Sequence, residues 1–204
     1  MAKPKAPAPA RIVQAGDPVL RQKARALSRE ELLGRETQQL IELMRATVYA
    51  APGVGLAAPQ IGLALQLAVI EDKQEYTKDA PAEFVRERER KAVPFHVIVN
   101  PKLTLLEDAG QAAFFEGCLS LAGFTAVVPR ARRVRVDCLN HLAEAVTIEA
   151  SGWYARILQH EIDHLHGTLY IDRMKPRTFS SLENFEANYK GRSMAEVDEM
   201  LAQR

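Results

Sequence analysis

Two histidines four residues apart, with a glutamate beside the first, are the strongest chemical signal in the sequence. His160, Glu161 and His164 lie in the run HEIDH. On an α-helix, residues with this spacing share one face, so both imidazoles can reach a single cation. The adjacent glutamate could then act as a base toward a ligand of that cation. The run predicts a metal site, and the alternative is an amphipathic helix whose histidines repeat by chance.

An open catalytic site needs a third protein ligand. Tyr170 occupies the position where many HExxH metalloproteases place a third histidine, and His166 is spaced away from the shared face. Cys118 is the better candidate, because it follows a glycine in the run EGCLS and lies at a break in an apolar segment. Cys138 lies in an alternating apolar and polar segment, so we interpret it as a small core residue.

The composition limits the class of protein. The chain has 204 residues, of which 47% are hydrophobic and 26% charged, as expected for one globular domain with a sizeable core. The net charge of +1 argues against a nucleic-acid partner, and the sequence has no apolar run of membrane-spanning length. Two cysteines are too few for a disulfide framework and indicate a reducing compartment.

The spacing of apolar residues predicts the helices and strands that must position these residues. Apolar spacing predicts a helix from about Ser28 to Ala50, and a second helix that Ser151 caps and Gly167 ends. The predicted strands are 65–71, 95–101, and a hairpin formed by 131–140 and 143–150. Because strands cluster on both sides of the second helix without alternating with helices, we expect an α+β fold. Its antiparallel or mixed sheets would pack around a central metal-binding helix.

The chain is predicted to contain one catalytic domain with two flanking segments. We interpret residues 1–10 as a flexible N-terminal tail and residues 11–178 as the catalytic domain. Residues 179–204 are expected to form a polar, partly helical C-terminal tail. The polar insert 72–92 is interpreted as a solvated loop or an exposed helix. The run LYIDRM that follows the second helix is expected to be short and extended.

Three motifs together resemble those of the peptide deformylase family. They are GVGLAAPQ at 53–60, EGCLS at 116–120 and HEIDHLHG at 160–167. Each motif is weak to moderate alone, but their order in a chain of this length is specific. The resemblance spans about Val13 to Thr178, and the residues around the third motif are similar to the organelle-type branch and its bacterial relatives. It implies hydrolytic removal of the N-formyl group from the formylmethionine of nascent polypeptides, with release of formate.

The resemblance also implies a metal and a catalytic set. Cys118, His160 and His164 would hold one divalent cation, which is Fe²⁺ in the cell and can be Zn²⁺, Ni²⁺ or Co²⁺ in purified protein. Glu161 would transfer the proton, and fixed donors would stabilise the charge that grows on the formyl oxygen. The implied catalytic residues are Glu161, Gln60, Leu119 through its N–H, and Gly55, which allows close approach of the substrate backbone. Gln60 also has a simpler interpretation as a residue that caps its own loop.

The substrate is expected to bind as a short extra strand with its methionine in an apolar pocket. The implied binding residues are Val54, Gly55, Phe115, Gly117, Trp153 and Ile157. Trp153 and Ile157 precede His160 on the same helical stripe, so they would lie beside the metal even if their main role is core packing. The second motif continues as LAGFT, without the proline and arginine of many bacterial members, which leaves the preference beyond methionine open.

A buried ion pair is expected to support the site. Glu116 lies in the apolar run AAFFEGCLS and needs a cationic partner, for which Arg130 is the candidate. The pair would hold the cysteine loop in place. Asp163, inside the metal helix, would orient neighbouring groups.

Two other functions remain open at this point. One is an HExxH-type zinc endopeptidase that takes Glu183 or Glu186 as its third ligand. The other is a non-catalytic, metal-stabilised module that associates with the ribosome. The expected partners of the enzyme are N-formylmethionyl nascent peptides and, transiently, the ribosome exit region, with no nucleic acid and no membrane. A monomer or homodimer in the bacterial cytoplasm is expected, or in an organelle matrix if the source is eukaryotic.

Overall fold

A computed structural model describes residues 7–202, apart from the side chain of Glu107. The α-helices in this range are α1 (Arg29–Leu33), α2 (Arg35–Ala50), α3 (Ala82–Glu87), α4 (Gly152–Leu165), α5 (Leu182–Asn188) and α6 (Met194–Ala202). The strands are β1 (Gly55–Ala57), β2 (Leu67–Asp72), β3 (Val93–Leu105), β4 (Gln111–Gly117), β5 (Phe124–Ala131), β6 (Arg133–Leu139), β7 (Ala145–Ser151) and β8 (Ser180–Ser181). None of the helices within the described range is long and apolar enough to cross a membrane.

The strands form two antiparallel sheets. The larger sheet has the order β1-β2-β3-β6-β7, and the smaller has the order β4-β5-β8. Both sheets contact α4, the helix that carries the HEIDH run. This arrangement confirms the predicted α+β fold with sheets around a central helix.

Helix α4 is amphipathic in the way its sequence predicts. Leu158, Ile162 and Leu165 are almost fully buried and belong to one core cluster with residues of the larger sheet, such as Ile70 and Ile98. Burial of this apolar stripe fixes the rotation of the helix about its axis. The histidines of the run are therefore held on a defined side of it.

The ends of α4 follow the prediction in position but not in every contact. Ser151 is the N-cap residue, yet its side chain makes no capping hydrogen bond to the described chain. Gly167 lies just beyond the helix with a φ of +73°, a left-handed conformation that favours glycine. A side chain there would also collide with the Arg21 backbone, because an added Cβ would lie 2.7 Å from its carbonyl oxygen.

Two predicted elements differ in their bounds. The single helix expected over 28–50 is divided, because Gly34 adopts an extended conformation and ends α1 before α2 begins. The capping box of Ser28 with Glu31 is present. Strand β3 continues past the predicted end at Pro101, and Asn100, which has a positive φ, lies at an irregularity in its pairing with β6. The Asn100 side chain bonds both backbone groups of Leu27, which offsets the lost ladder contacts.

Other segments are more ordered than the sequence indicates. The motif 53–60, whose small residues indicate a loop, contains β1 and leads into a 3₁₀ turn. The run LYIDRM forms a 3₁₀ turn at Tyr170–Asp172 rather than an extended segment. The polar insert 72–92 is only partly solvated, because Arg88 is buried and Asp72 bonds Arg90 beneath the surface.

The two predicted flanking segments make contacts with the rest of the chain. Residues 1–6 and 203–204 lie outside the described residues, but the Ala10 N–H donates to the Thr47 hydroxyl at 2.9 Å. At the other end, β8 pairs with β5, and Val197 of α6 is buried. The division of the chain into an N-terminal tail, a catalytic domain and a C-terminal tail stays a prediction.

Candidate metal centre

Cys118, His160 and His164 meet in space although they come from two distant segments. One donor atom of each lies within 4.8 Å of the others, and Cys118 Sγ is 3.3 Å from His164 Nε2. Helix α4 supplies both imidazoles, whereas the thiol follows Gly117 at the end of β4. The structure therefore brings together the three residues expected to be metal ligands.

The donor set fits a transition-metal cation. One sulfur and two imidazole nitrogens suit several divalent metals, and three protein ligands leave room for a water or substrate. His164 is buried, and its Nδ1 has no hydrogen-bond partner in the described chain. His160 Nδ1 lies 3.0 Å from Glu116 Oε2, so its Nε2 is the atom available to a metal.

Glu116 is the anchor of His160 and is itself held by two arginines. Its carboxylate accepts bonds at 3.0 Å from both Nε and Nη2 of Arg130, and one at 2.6 Å from Arg156 Nη1. Burial opposes ionisation, but the bond from His160 and the charge of Arg130 hold the pKa of Glu116 well below its usual range. The carboxylate is therefore charged when it orients the imidazole.

Arg156 is a functional candidate that the sequence reasoning missed. It lies on α4, is buried, and also donates to the backbone carbonyls of Ala112 and Val128. The signal was an arginine inside a largely apolar helix, because a buried guanidinium requires a carboxylate partner. Because Arg156 also donates to Glu116, the expected pair of Glu116 and Arg130 is part of a larger network of buried charges.

Asp163 joins the same network from the opposite side. It pairs with Arg130, and Arg173 donates to it at 2.7 Å through both Nε and Nη2. Because Arg130 bonds both Glu116 and Asp163, strand β4, which leads to Cys118, is tied to α4. This agrees with the expectation that Asp163 orients its neighbours.

Glu161 is a buried residue next to the cluster of donor atoms. Its carboxylate is buried, and Oε2 has no hydrogen-bond partner in the described range. Burial raises the pKa of Glu161 to about 7. Its other oxygen packs against Gly55, where an added Cβ would lie 2.4 Å from Oε1. The absence of a side chain at Gly55 is therefore what makes room for the carboxylate.

Gln60 and Leu119 supply donors beside Cys118. The side-chain oxygen Oε1 of Gln60 accepts from the Ala57 N–H at 2.8 Å, which fixes the side chain as a loop cap. Its amide nitrogen then lies 3.5 Å from Cys118 Sγ and 3.4 Å from Ser120 Oγ. Both interpretations of Gln60 are thus compatible, because the capping bond aims the amide at the site. The Leu119 N–H donates to no acceptor within residues 7–202.

A cleft of about 500 Å³ opens beside these groups. Its walls include every residue expected to bind the peptide, namely Val54, Gly55, Phe115, Gly117, Trp153 and Ile157. Cys118, His160 and Glu161 also line it, so the cluster of donors faces the cleft. Arg90, Phe124 and Leu182 line the cleft as well, and sequence reasoning missed all three.

Comparison with known proteins agrees with this geometry. The family model described as polypeptide deformylase matches residues 9–180. The chain belongs to the peptide deformylase family. It is 49% identical to the chloroplastic peptide deformylase 1A of Solanum lycopersicum, over 86% of this chain and 63% of that protein. It is 48% identical to peptide deformylase 3 of Streptomyces avermitilis, over 86% of this chain and 75% of the relative.

A solved peptide deformylase has the same fold. The class I type b enzyme of Acinetobacter baumannii, in a crystal structure with bound Met-Ala-Ser, aligns with a TM-score of 0.71 at 30% identity. The alignment covers 82% of this chain and 99% of that one. This chain spans less than two thirds of the length of the Solanum relative.

The remaining candidates are not among the residues that line the cleft. His166 is exposed, and its Nδ1 lies 3.0 Å from the Ile162 carbonyl. Cys138 is buried in the main core, as expected. Glu183 and Glu186 are exposed on α5 and do not belong to the donor cluster found among the described residues. Membership of the peptide deformylase family leaves the endopeptidase and the non-catalytic module without support.

Proposed function

We propose that this protein hydrolyses the N-formyl group of formylmethionine at the start of nascent polypeptides and releases formate. The observation that carries the proposal is the meeting of Cys118, His160 and His164 beside the buried Glu161 carboxylate, in the wall of a peptide-sized cleft. Structural metal sites fill every position with protein ligands and need no adjacent base. Three ligands with a buried carboxylate beside them favour catalysis.

The metal would be held by the thiolate and the two imidazoles. A divalent cation bound there supplies positive charge that acidifies a water and polarises the formyl carbonyl. Glu161 takes a proton from the attacking water and later returns it to the departing methionine amine. Its buried position beside Gly55 suits both roles, because a pKa near neutrality allows the carboxylate to accept and then release a proton.

The charge that grows on the formyl oxygen would be stabilised by fixed donors. The Gln60 amide is aimed beside Cys118 by its bond to Ala57, and the Leu119 N–H is free of protein acceptors in the described range. Preorganised donors of this kind need no rearrangement when the charge forms. We assign the two groups to the oxyanion.

The peptide would lie between two strand edges. Strand β1 is the first strand of the larger sheet, and β4 is the first of the smaller one, so each has a neighbour on one side only. Gly55 and Gly117 lie on these edges and line the cleft. An extended substrate can pair with such an edge through its backbone. The methionine side chain would enter the part of the cleft formed by Val54, Trp153 and Ile157.

We further propose Fe²⁺ as the ion used in the cell. Thiolate and imidazole ligands accommodate ferrous iron, and Zn²⁺, Ni²⁺ or Co²⁺ can take its place in purified protein. Because the proposed substrate is the start of a nascent chain, we propose a transient association of the enzyme with the ribosome exit region. The proposed setting is the bacterial cytoplasm, or an organelle matrix in a eukaryotic source, with the enzyme acting as a monomer or homodimer.

A formate-release assay tests the proposal. Protein purified without oxygen and loaded with Fe²⁺ should release formate and a free amine from formyl-Met-Ala-Ser. Glu161→Gln should lose this activity, whereas Glu183→Gln and Glu186→Gln are matched controls on exposed positions and should keep it. Cleavage of internal peptide bonds, or loss of metal in either control, would instead support the endopeptidase. Absence of formate release from the metal-loaded protein would refute the proposal.

A further inference from the structure

A three-residue segment near the start of the chain lies across the two loops that carry the proposed oxyanion donors. We call residues 13–15 the N-terminal strap. Its Val13 N–H donates to the Gln60 backbone carbonyl at 2.9 Å, and its Ala15 N–H donates to the Ser120 carbonyl at 2.8 Å. Both acceptor residues are buried, and they are 60 positions apart in the sequence. The strap therefore joins two loops that the chain itself does not connect directly.

The middle residue of the strap, Gln14, bonds the second of these loops with both ends of its side-chain amide. Its Nε2 donates to the Leu119 carbonyl at 3.0 Å, and its Oε1 accepts from the Ala122 N–H at 3.2 Å. An amide used in this way holds two backbone groups of the loop at a fixed separation. Gln14 is exposed and is not among the residues that line the cleft. Its route to the reacting atoms is therefore through the loop.

The hydrogen bonds of this loop restrict the orientation of the Leu119 N–H. That N–H shares a planar peptide unit with the Cys118 carbonyl, which accepts from the Leu121 N–H at 3.0 Å. On the other side of Leu119, its own carbonyl is held by Gln14. Because both neighbouring peptide units are anchored, rotation about the backbone bonds of Leu119 is limited. A donor held in this way keeps its direction as charge forms on the substrate.

We propose that Gln14 is a positioning residue that keeps the Leu119 N–H directed at the formyl oxygen. The backbone bonds of the N-terminal strap set the separation between this N–H and the Gln60 amide, and the Gln14 side chain sets the direction of the N–H. The inference rests on the proposed deformylase function, which assigns both donors to the oxyanion. Hydrogen bonds of an exposed side chain contribute modestly to the free energy of unfolding, so their loss should alter catalysis more than stability.

The backbone dynamics of Leu119 test the inference without reference to activity. Zn²⁺-loaded protein is diamagnetic, so ¹⁵N relaxation can give the order parameter of the Leu119 N–H. This order parameter should be about 0.85 in the wild-type protein, as in rigid backbone, and should fall toward about 0.6 in Gln14→Met. Gln22→Met is the matched control, since Gln22 is also exposed but has no bond to this loop within the described range.

Formate release from formyl-Met-Ala-Ser gives the kinetic test. Complete loss of an oxyanion donor costs about 100-fold or more in kcat, so a donor that is only freed to move should cost about tenfold. KM should change by less than about twofold, since oxyanion donors act on the transition state rather than on bound substrate. Gln14→Glu keeps an acceptor for the Ala122 N–H but has no donor for the Leu119 carbonyl, so it should be impaired as Gln14→Met is. Thermal unfolding of both variants should stay close to that of the wild-type protein.

The two measurements separate this inference from the proposed function. If no sample releases formate, the proposed function fails, and the order parameter alone decides whether Gln14 holds the Leu119 N–H. An order parameter or a kcat that Gln14→Met leaves unchanged would overturn the inference, and so would a rise in KM alone. Wild-type kinetics in Gln14→Glu would also overturn it, because only the bond to Ala122 would then matter. An equal loss in Gln22→Met would show that the effect does not depend on the loop.

Discussion

Replacing Gly55 with alanine tests how closely the β1 edge holds the proposed base. An added Cβ would lie 2.4 Å from Glu161 Oε1, 2.7 Å from Cδ and 2.9 Å from Cγ. Ordinary van der Waals separations are about 3.5 Å, so the carboxylate must move by about 1 Å. A displacement of this size at a reacting group costs about 100-fold in rate. Because φ at Gly55 is not positive, alanine fits the backbone and the fold should be kept.

The assay is kcat/KM for formate release, with metal content and thermal unfolding measured on the same samples. Gly53→Ala is the comparison from the same loop, since its Cβ would meet the tip of the Leu119 side chain at 2.8 Å. That tip can rotate away, so a smaller loss of activity is expected there. Wild-type activity in Gly55→Ala would refute the placement of Glu161, and loss of the fold would refute the reasoning about the backbone.

Three further predictions concern the base, the buried network and the thiols. Glu161→Gln should lower kcat/KM by at least about 100-fold with metal content unchanged, and near-normal formate release would contradict its role. Arg156→Met leaves the buried Glu116 carboxylate with one cation fewer and should lower the free energy of unfolding by about 3 kcal/mol in a urea titration. An unchanged midpoint and slope in that titration would mean that Arg156 does not neutralise Glu116. In metal-free protein at about pH 8, an alkylating reagent should modify Cys118, which lines the cleft. It should spare Cys138, because burial raises the pKa of that thiol to about 11. Peptide mass mapping that found Cys138 modified first would contradict this difference.

Local patterns in the sequence predicted the core of the site. The spacing of His160 and His164 and the apolar stripe of α4 both follow from helix geometry, which depends on neighbouring residues only. The partnership with Cys118 was reached from the chemistry a metal requires, together with the glycine break before the cysteine. The pairing of Glu116 with Arg130 followed from the cost of an isolated buried charge.

The features that were missed depend on contacts between distant segments. Arg156 bonds Glu116 across 40 positions of sequence, and no local period indicates such a partner. The packing of α5 on Phe115 and the place of Arg90 in the cleft wall have the same origin. The break at Gly34 has a local origin instead. A single glycine divides a segment whose apolar spacing fits one continuous helix.

X-ray absorption at the metal edge of the loaded protein tests the central claim most directly. The account predicts one sulfur and two imidazole nitrogens around a single bound cation, and it predicts that the sulfur is lost in Cys118→Asp but kept in Cys138→Ser. A spectrum of the wild-type protein without a sulfur neighbour, or one unchanged in Cys118→Asp, would contradict it.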